Sequence, residues 1–159
     1  MVRITIVAVG KLKETYLKLG MKEYLKRLAP WAKIDIKELR EESFPPTVSR
    51  PEREGILTKE GERIISHIPP GSHIFLLDVA GELVSSEELA AKLSGLSAFG
   101  NSFTFIIGGP LGVSAKLKTI AHERISLSPL TFTHQMTRLI LIEQIYRSFK
   151  INRREKYHW

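Results

Sequence analysis

The sequence contains no cysteine and no long uninterrupted apolar run. The first absence excludes disulfide bonds, thiolate catalysis and cysteine-ligated metal sites, and it fits a reducing compartment. The second excludes a membrane-spanning helix, which needs roughly 20 consecutive apolar residues. Residues 1–7 lead directly into a predicted strand, unlike a signal peptide. We therefore expect a soluble, cytoplasmic protein with no membrane contact.

Common nucleotide, hydrolase and metal motifs are also missing. There is no G-x-x-x-x-G-K-[ST] phosphate loop, no G-x-S-x-G elbow and no H-E-x-x-H pair. The five histidines lack the spacing of metal ligands, so no metal is predicted. What remains is a ligand held largely by backbone amides and apolar side chains, beside basic residues.

Positive charge is in excess and is concentrated in two segments. Lysine and arginine number 24 against 17 acidic residues, a net charge of +7. Residues 11–40 hold nine basic and four acidic residues, and residues 147–156 hold five and one. The two segments either line one groove for a polyanion or form two solvated faces. Of the charged partners, nucleic acid is favoured over membrane, because the first segment lacks an aromatic or leucine-rich lipid face.

Apolar patterning alternates between strands and helices along the whole chain. Strands are predicted over residues 4–9, 34–39, 73–79, 103–107 and 125–127, and helices over 15–28, 50–67, 86–96, 114–122 and 134–149. Such alternation is typical of an α/β fold with a mostly parallel sheet, here of five to six strands, and helices on both faces. The length and the absence of a linker predict a single domain over residues 1–159.

The stretch from Phe103 to Phe132 is the predicted functional centre. It joins a buried strand, a turn with three glycines and one proline at residues 108–112, and a second turn rich in hydroxyl groups. Glycines let backbone amides approach a flat or anionic group, and parallel sheets bind ligands at the carboxyl ends of their strands. A tight strand-to-helix connection explains the glycines equally well.

The last predicted helix is apolar on every side around residues 139–142. More than one of its faces must therefore be covered. A homodimer packed through this C-terminal helix satisfies the requirement, and so does full burial within one chain. Glu143 and Arg147 stand four residues apart, in the order that favours an ion pair along a helix.

Four ordered motifs resemble one known family. They are IIGGPLGVS at residues 106–114, SLSPLTFTHQMTR at 126–138, EQIYR at 143–147 and YH at 157–158. The likeness extends over the whole chain and includes ITIVAVGK at residues 4–11. These motifs are similar to those of the RlmH family, bacterial 23S rRNA (pseudouridine-N3)-methyltransferases of the SPOUT class.

The resemblance implies a fold feature, a cofactor and partners. It implies a C-terminal trefoil knot, a homodimer, ribosomal RNA within the ribosome as substrate, and S-adenosyl-L-methionine as methyl donor. Glycines and apolar side chains at the matching positions suit such a donor, because a bent cofactor needs a preformed cavity more than charged clamps. By similarity the donor contacts Leu77, Gly109, Leu127, Ser128, Pro129, Leu130, Thr131 and Phe132.

The resemblance also implies catalytic groups near the C-terminus. His158 and Tyr157 are expected to shape the nucleoside pocket, and Arg147 to hold a phosphate or stabilise a developing imide anion. The chain departs from the family at Lys156, where a proline is usual, and at Trp159, where the family ends on a polar or charged residue. The lysine loosens the backbone of the tail.

Two other functions compete with this one. The first is a non-catalytic ribosome-binding or assembly module, which would keep the basic surface without needing the glycine and hydroxyl turns. The second is a SPOUT methyltransferase with a different RNA or protein target. The Tyr157–His158 pair favours the pseudouridine enzyme over this second alternative.

Overall fold

The computed structural model describes all residues, 1–159, and contains five strands that alternate with five helices. In chain order the elements are β1 (Val2–Val9), α1 (Thr15–Leu28), β2 (Ala32–Leu39), α2 (Arg50–Ser66), β3 (His73–Leu83), α3 (Ser86–Ser97), β4 (Ser102–Ile107), α4 (Ala115–Ile120), β5 (Glu123–Ser126) and α5 (His134–Asn152). The predicted number and order of the elements are confirmed.

All five strands pair in parallel in one sheet, in the order β2-β1-β4-β3-β5. Strands β1 and β4 lie inside the sheet and are buried along most of their length, as their continuous apolar runs predict. Strand β2 lies at the edge and alternates between apolar and polar residues. The predicted α/β class with a parallel sheet is therefore confirmed.

Helices cover both faces of the sheet and create two separate cores. On one face, α1, α3 and α5 bury a cluster of 17 residues against the strands, including Phe75, Phe103 and Phe105. On the other face, a smaller cluster of eight buried residues includes Ile64 of α2 and Leu117 of α4. The last helix lies between α1 and α3, because it contacts Gly20 of one and Ala90 of the other.

Several predicted boundaries differ from the structure. Strand β3 continues past residue 79 to Leu83, because after a bulge it pairs again with β5 at Ser126. Helix α4 ends at Ile120 instead of residue 122, because the backbone and ring of His122 bond to the backbone of Ile74. Both differences arise from pairing between distant strands, which local patterning does not report.

Serine side chains cap the N-termini of α2 and α3. Ser49 accepts a hydrogen bond from the Glu52 amide at 3.3 Å, and Ser85 accepts one from the Glu88 amide at 3.1 Å. The Glu88 carboxylate in turn accepts a hydrogen bond from the Ser85 amide, which completes a capping box. The trefoil knot implied by the family resemblance remains a prediction.

Candidate functional site

A cleft of about 980 Å³ opens at the carboxyl ends of β3, β4 and β5. The glycine turn forms one wall, the loop after β5 forms another, and the first turns of α2 and α5 complete the rim. Parallel sheets place ligands at this edge because the strand ends and the following loops converge there. The volume lies at the upper end of the range for small-molecule sites, roughly 300–1,000 Å³.

The glycine turn is held in a single compact conformation. The Gly112 amide donates to the Gly109 carbonyl at 3.1 Å, which closes a four-residue turn with Pro110 in its second position. A Cβ atom on Gly108 would lie 2.7 Å from the Gly112 carbonyl oxygen and 2.6 Å from Val113 Cγ1. Only glycine fits at residue 108 without moving the turn, so main-chain groups line this wall.

The second wall is a loop stabilised by its own hydroxyl groups. Ser126 Oγ donates to the Ser128 carbonyl at 3.0 Å, and Ser128 Oγ accepts from the Leu130 amide at 2.9 Å. Thr133 then caps α5 by accepting from the Met136 amide at 3.1 Å. These local bonds shape the loop before any ligand binds, which reduces the ordering cost of binding.

Charged side chains stand around the rim of the cleft. Arg124 donates to Asp78 Oδ2 at 2.7 Å. Burial alone would raise the pKa of Asp78, but hydrogen bonds from Arg124 and the Ala80 amide outweigh it and the pKa is lowered. Burial lowers the pKa of His134, so this histidine is neutral at pH 7. The rim therefore carries the carboxylates Asp78 and Glu54 among the cations Arg50, Arg53 and Lys118.

The structure brings nearly all the predicted donor-binding residues together. Seven of them line the cleft: Leu77, Gly109, Leu127, Ser128, Leu130, Thr131 and Phe132. Pro129 does not line it. A Cβ on Gly109 would lie 3.2 Å from Val9 Cγ1 and 3.5 Å from Glu60 Oε1, so a side chain there would press on buried neighbours. The binding role of these residues remains a prediction.

The three predicted catalytic residues form a second cluster, at the C-terminal half of α5. Arg147 donates to Glu143 Oε1 at 2.6 Å, and the Tyr157 hydroxyl donates to the same oxygen at 3.0 Å. The Arg147 guanidinium also lies 4.7 Å from the centroid of the Tyr157 ring. The predicted pairing of Glu143 with Arg147 is confirmed. We call Arg147, Tyr157, His158 and their partners Glu143 and Glu87 the tail cluster.

The hydrogen bonds of His158 define its tautomer. Nδ1 lies 3.2 Å from an Arg147 nitrogen, which can only donate, so Nδ1 accepts. Nε2 lies 2.6 Å from Glu87 Oε1 and therefore carries the proton. Burial, Tyr24 and Glu143 raise the pKa of Tyr157, which stays a neutral phenol at physiological pH. The bond to Glu143 raises the pKa of Arg147, which stays cationic.

Within one chain the tail cluster does not reach the cleft. None of Arg147, Tyr157 and His158 lines it, whereas Thr137 does. Arg147 follows Thr137 by ten residues, a distance of roughly 15 Å along a helix. The tail instead packs on α1 through Tyr24 and on α3 through Glu87. The two predicted halves of the site are separate in a single chain.

The apolar residues of α5 are largely covered within the chain. Leu141, Ile142 and Ile145 are fully buried, and no residue of the helix before Asn152 is exposed. Burial within one chain therefore explains the apolar middle of the helix. Tyr16 and Leu19 of the adjacent α1 are more than half exposed. The predicted homodimer remains a prediction.

Sequence reasoning did not identify three residues that contribute to these sites. Arg53 contacts the glycine turn, Asp78 lies on the rim, and Glu87 bonds to the predicted catalytic histidine. Only Asp78 carried a local signal, as the end of a buried strand. Arg53 and Glu87 lie in ordinary first turns of helices, so only the fold reveals what they face.

The structure contains neither a cluster of metal ligands nor a helix suited to a membrane. No group of three or more histidine and acidic side chains could hold a metal ion. None of the helices combines the length and apolar character that a membrane crossing requires.

Comparison with known proteins identifies the class of the chain. A family model described as a predicted SPOUT methyltransferase matches residues 2–158. Ribosomal RNA large subunit methyltransferase H of Carboxydothermus hydrogenoformans is 50% identical over 98% of both chains. The proteins of the same name from Alkaliphilus oremlandii and Bacillus pumilus are each 49% identical, again over 98% of both chains.

A solved structure gives a weaker likeness. A probable methylase family protein from Haemophilus influenzae Rd KW20 matches with a TM-score of 0.48 and 12% identity, over 95% of this chain and 66% of that one. The sequence matches are far stronger. The chain belongs to the SPOUT methyltransferases and, among them, to the family of ribosomal RNA large subunit methyltransferase H.

Proposed function

We propose that this protein transfers a methyl group from S-adenosyl-L-methionine to N3 of a pseudouridine in 23S ribosomal RNA. The reaction takes place in the cytoplasm, on the ribosome. The observation that carries the proposal is the cleft walled by the glycine turn and the hydroxyl-rich loop, in a chain that is half identical to proteins named rRNA methyltransferases. A non-catalytic adaptor has no need of such a cleft.

The lining of the cleft fits the proposed donor. Main-chain groups at residues 108–112 and 126–131 offer donors and acceptors to an adenine ring and a methionine moiety, and Leu77, Leu130 and Phe132 offer apolar contact. When bound, the donor supplies an electrophilic methyl group on a positively charged sulfur. The protein contributes the geometry that aligns this group with the base.

The target nitrogen requires loss of a proton. N3 of pseudouridine is an imide N–H between two carbonyls and is a poor nucleophile until that proton is removed or shared. His158 is proposed to take the proton at Nδ1, which carries none, after Nδ1 exchanges the hydrogen bond from Arg147 for one from the base. Tyr157, held as a neutral phenol, donates a hydrogen bond to the base, and the permanent charge of Arg147 stabilises the developing anion.

The separation of cleft and tail cluster within one chain supports a site shared between two copies of the chain. We infer that the protein works as a homodimer in which the tail of one protomer completes the cleft of its partner. The exposed apolar residues Tyr16 and Leu19, next to α5, provide part of a surface for this contact. A two-fold symmetric dimer forms two such composite sites.

Substrate RNA is expected to bind largely through charge. Of the basic residues outside the cleft, Lys18, Lys22 and Lys26 form one exposed row along α1 and make no salt bridge. Phosphate contacts release counterions, so RNA affinity should fall steeply as salt is added. Affinity that does not respond to salt would show that the basic segments are ordinary surface.

The proposal is tested by locating the methyl group. The protein is incubated with isotope-labelled S-adenosyl-L-methionine and either assembled ribosomes or free rRNA, and the modified nucleoside is identified by mass spectrometry. Label on a pseudouridine of 23S rRNA supports the proposal. Label on another nucleoside assigns the chain a different target, and donor binding without any transfer to either RNA refutes catalysis on RNA.

The composite site is tested by mixing two inactive variants. Gly108→Ala should disable the cleft and His158→Ala the tail, while each leaves the other half intact. In a random mixture half of the dimers are mixed and each has one intact site, so about a quarter of wild-type activity should return. If mixed dimers form without any recovery, the tail of the partner does not complete the cleft.

A further inference from the structure

One face of α2 runs along the back of the glycine turn. Arg53, Glu60 and Gly61 lie at spacings of seven and eight residues, which places them on the same side of a helix. Arg53 Nη2 donates to the Leu111 carbonyl at 2.7 Å. A Cβ on Gly61 would lie 2.6 Å from Ser114 Oγ, and Glu60 stands behind Gly109. Helix α2 therefore lies against Gly109 and Leu111 of the turn and against Ser114, two residues after it.

The bond from Arg53 satisfies a carbonyl that the turn itself leaves free. The internal bond of the turn joins the Gly112 amide to the Gly109 carbonyl, so Leu111 contributes nothing to it. The only hydrogen bond that the Leu111 carbonyl accepts comes from Arg53. Leu111 is at the tip of the turn, between the two points where the chain is anchored. The Leu111 carbonyl belongs to the same peptide group as the Gly112 amide, so Arg53 and the Gly109 carbonyl hold this group from its two sides, and without Arg53 only one of the two bonds remains.

We propose that Arg53 is a positioning residue for the methyl donor: it holds the Leu111 carbonyl and so fixes the peptide groups of the glycine turn that face the cleft. The inference rests on the proposed function of the cleft. Arg53 acts through the turn and does not take part in the chemistry. Main-chain groups cannot be repositioned by a change of side-chain rotamer. A peptide group of the turn that is displaced would therefore stay misaligned with the donor.

The chain provides a matched control three residues away. Arg50 lies on the same helix, lines the same cleft and carries the same charge, but it pairs only with Glu54 at 3.2 Å and makes no hydrogen bond to the turn. An effect of charge on the donor or on RNA should appear at both arginines. An effect on the shape of the turn should appear only at Arg53.

The test compares Arg53→Met, Arg53→Lys and Arg50→Met in the full-length protein. Arg53→Met keeps the apolar stem and removes the donor group, so affinity for S-adenosyl-L-methionine, measured by calorimetry, should fall about five- to tenfold, the usual effect of one lost hydrogen bond. Arg53→Lys keeps an amine within reach of one carbonyl and should restore at least half of the lost affinity. Arg50→Met should lose clearly less donor affinity than Arg53→Met, because Arg50 makes no hydrogen bond to the turn.

Two further measurements separate positioning from other roles. In turnover, Arg53→Met should raise the KM for the donor and leave kcat nearly unchanged. The salt dependence of RNA binding should be the same for Arg53→Met and Arg50→Met. Unchanged donor affinity in Arg53→Met, or equal losses at both arginines, would overturn the inference. A wild-type protein that binds no donor would instead overturn the proposed function, and this inference with it.

Discussion

The cleft and the tail cluster differ in what they are made of. The cleft is walled mainly by backbone and apolar groups, and its loops are shaped by their own hydrogen bonds. The tail cluster consists of charged and polar side chains that are bonded to one another: Arg147 and Tyr157 to Glu143, and His158 to Glu87. One region is open to a ligand, and the other satisfies its own polar groups.

From this difference we infer that binding and chemistry are assigned to separate regions of the molecule. The walls of the cleft proposed to hold the donor all come from one chain. Side chains that neutralise each other must exchange at least one internal bond for a bond to substrate before they can act. We infer that the cleft selects the donor in each protomer and that the tail cluster becomes active only when it is placed beside RNA.

The largest expected effect comes from closing the cleft at Gly108. Gly108→Ala introduces a Cβ at 2.7 Å from the Gly112 carbonyl oxygen, so the turn must open or shift. Donor affinity should fall at least about 100-fold, and overpacking of this kind typically costs about 1–3 kcal/mol of stability. Calorimetry gives the affinity, and circular dichroism checks that the variant remains folded.

Gly109→Ala is the matched control for that experiment. Its Cβ would meet Val9 and Glu60 at 3.2 and 3.5 Å, contacts that small movements relieve. A much smaller loss of affinity is expected than at residue 108. Equal donor affinity in Gly108→Ala and the wild type would mean that the donor does not use the turn.

The next largest effect should appear in the tail cluster and only in turnover. His158→Ala removes the proposed proton acceptor, and general-base catalysis is typically worth 10²- to 10⁴-fold, so the methylation rate should fall at least about 100-fold. Donor affinity should stay within about twofold, because His158 does not line the cleft. Normal turnover in this variant would remove His158 from the mechanism. Weakened donor binding would show that the cleft and the tail cluster do not have separate roles.

The same division explains which parts were predictable from the sequence. The glycine turn and the hydroxyl-rich loop are contiguous in the chain and use residue types with strong local preferences, so both were placed correctly at the cleft. Leu77 was placed there as well, through the resemblance to a known family. The alternation of strands and helices likewise predicted the parallel sheet, because apolar runs and capping serines reflect local structure directly.

The tail cluster was not predictable in the same way. Glu87 and His158 are 71 residues apart, and no pattern in the chain connects them. Arg53 and Leu111 are 58 residues apart and meet only because α2 packs behind β4 and its turn. The extension of β3 depends on its pairing with β5, another distant contact. Local signals therefore identified the groups that line the cleft, and tertiary packing decided which distant side chains meet.

A smaller effect is expected at the last residue of the chain. Trp159 is 95% exposed and follows directly on His158, so it is free to stack on a base of the substrate. Trp159→Ala should weaken binding of ribosomal RNA by about five- to tenfold and leave donor affinity unchanged. In a Trp31→Phe background, RNA should quench the fluorescence of Trp159. Persistent fluorescence at saturating RNA would exclude stacking by this side chain.

The smallest effect is expected at two carboxyl groups, Glu60 behind the cleft and Glu87 in the tail cluster. Burial raises the pKa of Glu60, whereas hydrogen bonds from its own backbone amide and from His158 lower the pKa of Glu87. A raised carboxyl pKa contributes stability below its ordinary value of about 4.3 that is lost as pH rises. A lowered pKa contributes stability above that value that is lost as pH falls.

The corresponding glutamine variants should therefore respond to pH in opposite directions. Glu60→Gln stays neutral, so its Tm relative to the wild type should rise by a few degrees at most as pH increases from 4 to 8. Glu87→Gln loses the bond of a carboxylate to His158, so its Tm relative to the wild type should fall over the same range. Thermal unfolding at several pH values measures both. Parallel trends in the two variants would mean that the pKa values of Glu60 and Glu87 are not shifted in opposite directions.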